Sequence, residues 1–559
     1  MVSDNNPERG SSSRRRFIQI TSGATAVALA GCTGGGGGGD GGSTDESTDN
    51  GTDSGSSESS SDTNNRAGGT LSIAQAKSPP DFDPVLQLGG PAAIIGERFF
   101  SNITTFDDGT NVIPGDIATG MPEVERGGER YIVEIVDDAT FHNGDPVTAE
   151  DVAYTYQAPI DEETRMAGSY GMVNNIETVD DTTVQFDLDY QYGAFPGALA
   201  GMGVVPKSVR EEDKEAFGLN PVGSGPFQLT EYTENELTRL EKWDDYWGDL
   251  DPHLDAVEYT PVVEPTTRVT NFRQGDAHMM QSIPPQLIST VEQLDGGAVQ
   301  SQPALGYRFI TFNLNAGETT KPKVREALDY CVDLQNVVDR FVAPVGVRQY
   351  QPLPNPQAES WDMPIDKWED MAVGKDTEEA SRLFEEADVP DDWECLMLCP
   401  PDDLREQMLV SMANGVKDAG YQATVQRLDW GTYLEKFTSG DPDDYNLYAL
   451  GWSVNADPDY HMHDMFHEST AGTNQGHYWS DDEAMEMIMQ ARKSTDREER
   501  RELYIQIQDK ILQQRVQLPA WNTVETWGIR DAVQDFSLHP IPVENPRLVT
   551  NYQNVWLDQ

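Results

Sequence analysis

The sequence predicts a mixed α/β fold built from at least two lobes. Its 559 residues exceed the roughly 100 to 200 residues of a typical domain, so separate hydrophobic cores are expected. From Thr70 onward, apolar strand-like segments alternate with amphipathic helix-like segments, without an obvious internal repeat. Length and alternation together indicate strands and helices packed within each lobe.

The acidic composition limits the partners of this chain. It has 96 Asp and Glu against 39 Lys and Arg, a formal net charge of -57. We therefore expect no nucleic acid partner, because phosphates would be repelled. Such a chain would also repel itself in ordinary buffer, whereas the screening length falls to about 3 Å at 1 M salt. The composition thus indicates adaptation to molar salt, as in a halophilic archaeon.

Residues 1–31 are predicted to form an export signal peptide. Arg14 and Arg15 lie in a Ser-Arg-Arg-Arg-Phe-Ile-Gln stretch that resembles a twin-arginine export signal. The apolar or small residues from Ile20 to Gly31 are too few for a membrane span, which needs roughly 20. They end in Leu-Ala-Gly-Cys, which resembles the lipobox of a lipoprotein. This resemblance implies that residues 1–31 are removed and that Cys32 carries the lipid.

Residues 32–69 continue as a polar tether. From Thr33 to about Gly69 the chain consists almost entirely of Gly, Ser, Asp, Thr and Asn, so it cannot bury enough apolar surface to fold. A flexible chain of this length has a root-mean-square reach of about 30 to 35 Å. We expect it to hold a globular body off a membrane while letting that body turn.

The four cysteines do not indicate a disulfide framework. Cys395 and Cys399 lie at the two ends of a strand-like run, which separates them by about 13 Å and puts a disulfide out of reach. We interpret both, together with Cys331, as small buried apolar residues.

Several helices are predicted from periodicity and caps. The segment from Pro322 to Val342 is predicted to form one core-facing helix. Its apolar stripe comprises Val324, Ala327, Leu328, Cys331, Val337, Val338 and Phe341. Two capping-box pairs, Ser480 with Glu483 and Asp496 with Glu499, predict two further helices running to about Gln514.

A helix-to-strand unit lies between these segments. Residues Leu404 to Ala419 are predicted to be helical, with Gly420 closing the helix. Strands are then expected from Tyr421 to Leu428 and from Tyr445 to Trp452. These pieces are typical of a doubly wound lobe.

An ordered series of motifs covers nearly all of residues 68–559. Asp137 to Val152, with the sequence DDATFHNGDPVTAEDV, closely resembles the signature of the family 5 extracellular solute-binding proteins, which bind oligopeptides and dipeptides for ABC importers. It is joined in the family's order by DFDP at 81–84, PVGSGPF at 221–227, WDDYWG at 243–248, FRQGD at 272–276, FITFN at 309–313 and KVREAL at 323–328. The chain therefore resembles a member of this family, of haloarchaeal type.

Two of these motifs have structural interpretations of their own. His142 to Asp145 is predicted to form a tight turn in which Gly144 has a positive φ, before a helix near Ala149. The Gly223 to Pro226 segment lacks the Lys-Ser or Lys-Thr of a phosphate loop and is expected to be a crossover or hinge.

The resemblance implies a two-lobe periplasmic-binding-protein-like fold, type II and cluster C, with an extra subdomain in lobe I. Lobe I is expected to comprise 70–105, 211–305 and a return at 517–559, with the extra subdomain at 106–210 and lobe II at 306–516. A ligand would be enclosed between lobes that close around it and present the closed form to the importer. We expect a monomeric, lipid-anchored protein outside the cell, with the permease subunits as partners and no cofactor.

The resemblance also implies where a ligand would lie. In peptide-binding relatives a strand ending in Gly-Trp contacts the peptide, and an Asp three residues past the Trp pairs with the free amine. Here that pair is Gly451-Trp452, followed by Ser453, and the third residue is Asn455 rather than Asp. Asp457 is therefore a candidate replacement for the amine-binding acid, since a charge-assisted hydrogen bond is stronger than a neutral one.

The facing wall is expected four to six residues past the Asp83-Pro84 pair. Those residues are Leu88, Gly89 and Gly90, and bare glycine backbone can approach a ligand closely. Tyr307 and Trp452 are further candidates for wall residues, although aromatic residues serve core packing more often.

Other interpretations remain open at the level of sequence. One short segment contains His461, His463 and His467, which are potential metal ligands. Surface histidines, however, are commonly only solvated or hydrogen-bonded. A secreted hydrolase is disfavoured, because no G-x-S-x-G elbow or zinc-protease helix is present, so we expect no enzyme. A saccharide or other organic solute, or a ligand-sensing role without transport, are the alternatives to peptide import.

Overall fold

The computed structural model describes residue 66 and residues 68–86, 90–453 and 456–558. The predicted export signal at Arg14 and Arg15, the lipid-bearing Cys32, and the wall and amine positions Leu88, Gly89 and Asn455 lie outside these residues. Within the described part of the chain, no helix is both long and apolar enough to cross a membrane.

Strands and helices alternate throughout the described body. The strands are β1 Thr70–Gln75, β2 Thr104–Phe106, β3 Val112–Pro114, β4 Glu123–Glu125, β5 Arg130–Glu134, β6 Val173–Thr178, β7 Thr183–Leu188, β8 Phe227–Thr233, β9 Leu237–Lys242, β10 Ala256–Pro261, β11 Met279–Gln281, β12 Gly297–Phe312, β13 Gly346–Arg348, β14 Glu394–Cys399, β15 Gln422–Arg427, β16 Leu447–Ser453, β17 Gln517–Arg530, β18 Val533–Gln534 and β19 Trp556–Leu557. The helices are α1 Gly90–Gly96, α2 Ala149–Asp161, α3 Phe195–Leu199, α4 Lys207–Glu212, α5 Lys214–Leu219, α6 Pro265–Gln274, α7 Pro285–Glu292, α8 Pro322–Asp329, α9 Leu334–Val337, α10 Asn355–Ser360, α11 Ile365–Glu369, α12 Thr377–Glu386, α13 Asp403–Asp418, α14 Trp430–Phe437, α15 Asp459–Phe466, α16 Asp482–Lys493 and α17 Arg497–Gln513. The predicted α/β class is confirmed.

One eleven-stranded sheet runs through the body. Its order is β15-β14-β16-β12-β17-β11-β1-β10-β9-β8, with β13 paired to β17 off this path. The long antiparallel strands β12, of 16 residues, and β17, of 14 residues, belong to both halves of the sheet. Strands β14, β15 and β16 pair in parallel at one end, and β1 pairs in parallel with β10 and β11 at the other.

The β12–β17 ladder is interrupted where the two halves of the sheet meet. Its register shifts between Pro303 and Tyr307 on β12. The buried side chain of Asn522 holds this irregularity, because its amide donates to the carbonyl oxygens of Ala304 and Gly306 at 2.6 Å each. Carbonyl groups that the ladder leaves unpaired are thereby satisfied.

Separate hydrophobic cores form at the two ends of the sheet. The core at the β1–β10 end extends to the four-stranded sheet β4-β5-β7-β6 and includes Tyr131, Phe186 and Val257. At the other end, helices α8, α12 and α13 cover the parallel strands around Met397 and Leu447. Separate cores are what the chain length predicted.

The single helix predicted from Pro322 to Val342 was wrong. Helix α8 ends at Asp329, and α9 begins after Asp333, whose side chain accepts from the backbone N–H of Asn336 at 2.8 Å. This N-cap starts a second helix, although the apolar period of the sequence continues across the break. Phe341, in the π-helical turn Val338–Val342 that follows α9, is 39% exposed, whereas the other predicted stripe residues are buried.

The two capping-box predictions had different outcomes. Asp496 caps α17 as predicted, accepting from the backbone N–H groups of Glu498 and Glu499. Helix α16 is capped by Asp481 rather than by Ser480, because the Ser480 hydroxyl donates to Glu468 instead. The actual N-cap therefore lies one residue after the N-cap that the sequence pattern predicted.

The predicted helix-to-strand unit is confirmed. Helix α13 is followed by Gly420 at φ +100°, then by β15, and the next strand is β16. Cys395 and Cys399 lie on β14 and, like Cys331, are buried free thiols. Burial raises the pKa of the Cys331 and Cys399 thiols to about 12, which fits an apolar packing role.

The turn predicted in the signature motif is confirmed as well. Gly144 has φ +85°, its N–H donates to the carbonyl of Phe141, and α2 begins at Ala149 behind a Thr148 capping box. The Gly223 to Pro226 segment lies against the backbone of Phe99. A Cβ at Gly223 would lie 1.9 Å from the Phe99 carbonyl oxygen, so this position requires glycine.

Candidate ligand-binding site

A cavity of about 320 Å³ lies beside α1, next to the segment that follows β16. Most of its wall is carbon, including the side chains of Phe82, Phe100 and Met166. From the segment that follows β16, Ala456 and Tyr460 complete the wall. A largely apolar cavity with few polar groups is typical of a small-molecule site.

Five glycines bring bare backbone to this cavity, namely Gly90, Gly96, Gly197, Gly201 and Gly203. Gly203 is required by packing, since a Cβ there would lie 2.3 Å from the Cβ of Phe100. A Cβ at Gly90 would meet no atom of the described residues within 4 Å. The structure therefore places Gly90, the one described residue of the predicted facing wall, at the cavity with open space in front of it.

Strand β16, which was predicted to contact the ligand, pairs with β12. Gly451 pairs with Arg308, and Trp452 pairs with Tyr307, in an antiparallel register. A Cβ at Gly451 would lie 2.4 Å from Cδ of Arg308, so the absence of a side chain makes room for the arginine. Trp452 is partly buried and Ser453 is exposed at the end of the strand. None of these residues lines the 320 Å³ cavity, which begins just past the strand.

Tyr307 is a core residue in this structure rather than a wall residue. It is fully buried, and its hydroxyl donates to Oε1 of Gln517 at 2.7 Å and contacts Nε2 of His461 at 2.8 Å. Its hydroxyl and ring are thus occupied within the protein.

The candidate amine partner Asp457 is already paired. Its carboxylate accepts from both terminal nitrogens of Arg500, at 2.5 and 2.9 Å, and also from the backbone N–H of Asp459. Burial lowers the pKa of Arg500, but the charge of Asp457 outweighs that effect and holds the pKa well above its usual range. A bidentate buried pair of this kind leaves Asp457 little capacity for a ligand.

Glu97 lines the cavity and was not predicted from the sequence. Its Oε2 accepts from the side-chain amide of Asn102 at 2.9 Å. Burial, and then the nearby carboxylate of Glu544, raise the pKa of Glu97 to about 8. A single glutamate among 96 acidic residues carries no sequence signal, since only the fold brings it to the cavity.

The three clustered histidines do not converge on one point. His461 is fully buried against Tyr307, and burial lowers its pKa to about 3. His463 contacts Asp464 and stacks on His467, whose own Nδ1 contacts Ser469. Among the residues that the structure describes, no group of three His, Cys, Asp or Glu side chains could hold a metal ion.

Comparison with known proteins gives a consistent picture. The family model described as bacterial extracellular solute-binding proteins, family 5, middle, matches residues 112–473. The oligopeptide-binding protein AppA of Bacillus subtilis is 25% identical over 517 residues, covering 88% of this chain and 92% of AppA.

Solved structures with the same fold cover almost the whole described body. HbpA2 from Haemophilus parasuis superimposes with a TM-score of 0.77 at 19% identity, over 88% of this chain and 100% of that one. The periplasmic binding protein DppA from Helicobacter pylori, solved with the peptide STSA, gives 0.69 at 19% identity, over 89% and 100%. At these identities the two structures establish the fold alone.

Proposed function

The chain belongs to family 5 of the bacterial extracellular solute-binding proteins, and from this premise we propose that it captures a peptide outside the cell for an ABC importer. The observation that carries the proposal is the apolar cavity between glycine-rich backbone near α1 and the segment past β16. Extended peptides bind where a strand offers backbone hydrogen bonds beside pockets for side chains. The names of two relatives, the oligopeptide-binding protein AppA and a dipeptide-binding protein of Escherichia coli, support the same ligand class.

Closure of two lobes is the proposed mechanism. Lobe I would comprise residues 70–305 and 517–559, including the extra subdomain, and lobe II residues 306–516. Contacts across this boundary support it: Arg497 donates to Asn111 at 2.7 Å, and the N–H of Gly193 donates to the carbonyl of Arg492. Ligand contacts that exist only in the closed state would shift the population towards it. The protein would act by binding, as a monomer, and pass its ligand to the permease.

Lipid anchoring completes the proposal. The twin-arginine signal would export the folded chain, and the lipid on Cys32 would retain it at the outer face of the membrane. The polar tether up to Gly69 would let the body reach a permease in the same membrane.

Ligand-induced stabilisation tests the proposed function. The chain is melted in molar KCl with a mixture of di- to pentapeptides and, as the matched control, with a mixture of saccharides. A ligand that binds only the folded state adds about 2.7 kcal/mol of stability at a hundredfold excess over Kd, so the peptide mixture should raise the melting temperature. A rise with saccharides alone would replace peptide by saccharide as the solute, and no rise with either would remove support for transport.

A further inference from the structure

Three acidic side chains line the 320 Å³ cavity, and they differ in their partners. Asp83 accepts from Nε of Arg210 at 3.0 and 2.9 Å, and both residues are fully buried. Glu544 accepts from Nε of Arg547 at 3.0 Å. Glu97 accepts one neutral hydrogen bond from Asn102 and forms no ion pair with any described residue. The cavity therefore holds one carboxylate without a cation in contact.

The surroundings of Glu97 favour a cation from outside the protein. No lysine, arginine or histidine is among the described residues that line this cavity, whereas Arg98 and Arg547 line the neighbouring cavity that Glu97 also borders. Glu97 is partly buried, and taking an anion out of water without a counter-ion is costly, so an unpaired carboxylate in such a place binds a proton more readily. A ligand that brings its own positive charge would remove that cost and form a charge-assisted hydrogen bond.

The structure also removes the competing candidate for this role. Asp457, the acid expected to meet a ligand amine, has both oxygens bound by Arg500. Glu97 lies on the wall that contains Gly90 and faces the segment beginning at Ala456.

We propose that Glu97 is the counter-ion for a positively charged nitrogen of the ligand, and that the cavity takes the apolar group next to that nitrogen. The substrate class is a peptide whose free amino terminus carries a large apolar side chain. This inference rests on the proposed peptide-binding function and adds the position and chemistry of amine recognition.

Proton release on binding is the signature of this arrangement. Near pH 7, Glu97 of the empty protein holds a proton, because its pKa is raised to about 8. An ammonium beside it favours the ionised form, so binding near pH 7 should release close to one proton. Well above pH 8 the release should give way to proton uptake, because Glu97 is then already ionised and the free peptide amine has lost its proton.

Other charged groups surround Glu97, and burial also raises the pKa of Asp83 and of Asp116. Arg98 and Arg547 lower its pKa in part, whereas Glu544 raises it. Burial lowers the pKa of His539 to about 4, so this group is neutral at pH 7. Asp116 lines a neighbouring cavity, where Ser101 and Tyr246 donate to its carboxylate.

Calorimetry on the full chain in molar KCl tests the proposal with trileucine and N-acetyltrileucine. The wild type should bind trileucine about ten- to a hundredfold more tightly, as expected for one charge-assisted hydrogen bond. The Glu97→Gln variant should bind both forms equally. Glu123→Gln, which changes an exposed acid on β4, should keep the wild-type preference.

Binding enthalpies measured in two buffers of different ionisation enthalpy then give the number of protons that the wild type releases when it binds the peptide. Release of close to one proton near pH 7 supports Glu97. Equal affinities for the two peptides, or a preference that survives in Glu97→Gln, overturn the inference and leave peptide binding intact. If neither peptide binds while other solutes do, the proposed function fails and this inference fails with it. If the variant does not fold, equal wild-type affinities for the two peptides, or no proton release near pH 7, would still overturn the inference.

Discussion

Asp457 and Glu97 are acids near one cavity, but only Asp457 has a cation in contact. Asp457 is 8% exposed and Arg500 is 4% exposed, so each charge depends on the other. Arg500 also lies over the rings of Trp361 and Tyr504, at 5.2 and 5.5 Å from their centroids. A buried pair that is held so tightly is part of the structure, whereas an unpaired acid is available to a ligand.

We predict that Asp457→Asn destabilises the protein by about 3 to 5 kcal/mol, because it leaves the guanidinium of Arg500 buried without a counter-charge. Urea unfolding in molar KCl measures the change. The double variant Asp457→Asn with Arg500→Met should recover part of the loss, since no unpaired charge remains.

Glu498→Gln is the matched control for this experiment. Its side chain is 74% exposed and pairs with Arg501 at the surface, so the change should be within about 0.5 kcal/mol. If Asp457→Asn kept full stability but lost the preference for a free amine, Asp457 rather than Glu97 would be the amine partner.

At the scale of secondary structure, the irregular part of β12 lies where the lobes are proposed to meet. The amide of Asn522 and the hydroxyl of Thr523 both donate to the carbonyl of Gly306. These bonds replace ladder bonds that the register shift removes. Where side chains rather than the partner strand donate to the carbonyls, a strand that crosses between lobes can change its angle and break fewer ladder hydrogen bonds than a regular ladder would.

We predict that Asn522→Ala lowers the free energy of unfolding by about 1 to 3 kcal/mol, because it removes the side-chain donor to the Ala304 carbonyl and leaves Thr523 as the side-chain donor to Gly306. Hydrogen exchange near Leu305 and Gly306 should also become faster. Asn474→Ala, an exposed asparagine, should change neither quantity. Wild-type exchange and stability in Asn522→Ala would show that the irregularity is not held by this side chain.

Most secondary structure was predictable where one local signal dominated. Gly420 ends α13 and Asp496 begins α17 as expected, because a left-handed glycine and an N-cap act within a few residues. The break after Asp329 was missed, since the apolar period of α8 and α9 continues across it. Apolar periodicity alone does not reveal that an aspartate within the periodic segment, here Asp333, caps a new helix.

At the scale of the whole molecule, charge and anchoring act together. A net charge of -57 keeps the body solvated, so the proposed attachment to a membrane would have to come from another group. Each buried methylene of an acyl chain contributes about 0.8 kcal/mol to membrane binding.

We predict that Cys32→Ser releases the protein from the cells, because the lipid can no longer be attached. Immunoblots of the washed membrane fraction and of the medium measure the distribution in the producing cell. Thr33→Ser is the control and should stay with the membrane. Retention of Cys32→Ser in the washed membranes would contradict lipid anchoring at this position.

The sequence by itself determined the α/β class, the family and the helices and strands with strong local signals. Those features depend on composition, periodicity and ordered motifs, which can be read along the chain. The site depended on the tertiary structure, because the partner of each acid comes from a distant segment. Arg500 lies 43 residues from Asp457, and Glu544 lies far from Glu97 along the chain. Only folding decides which acid has its charge balanced within the protein and which is left for a ligand.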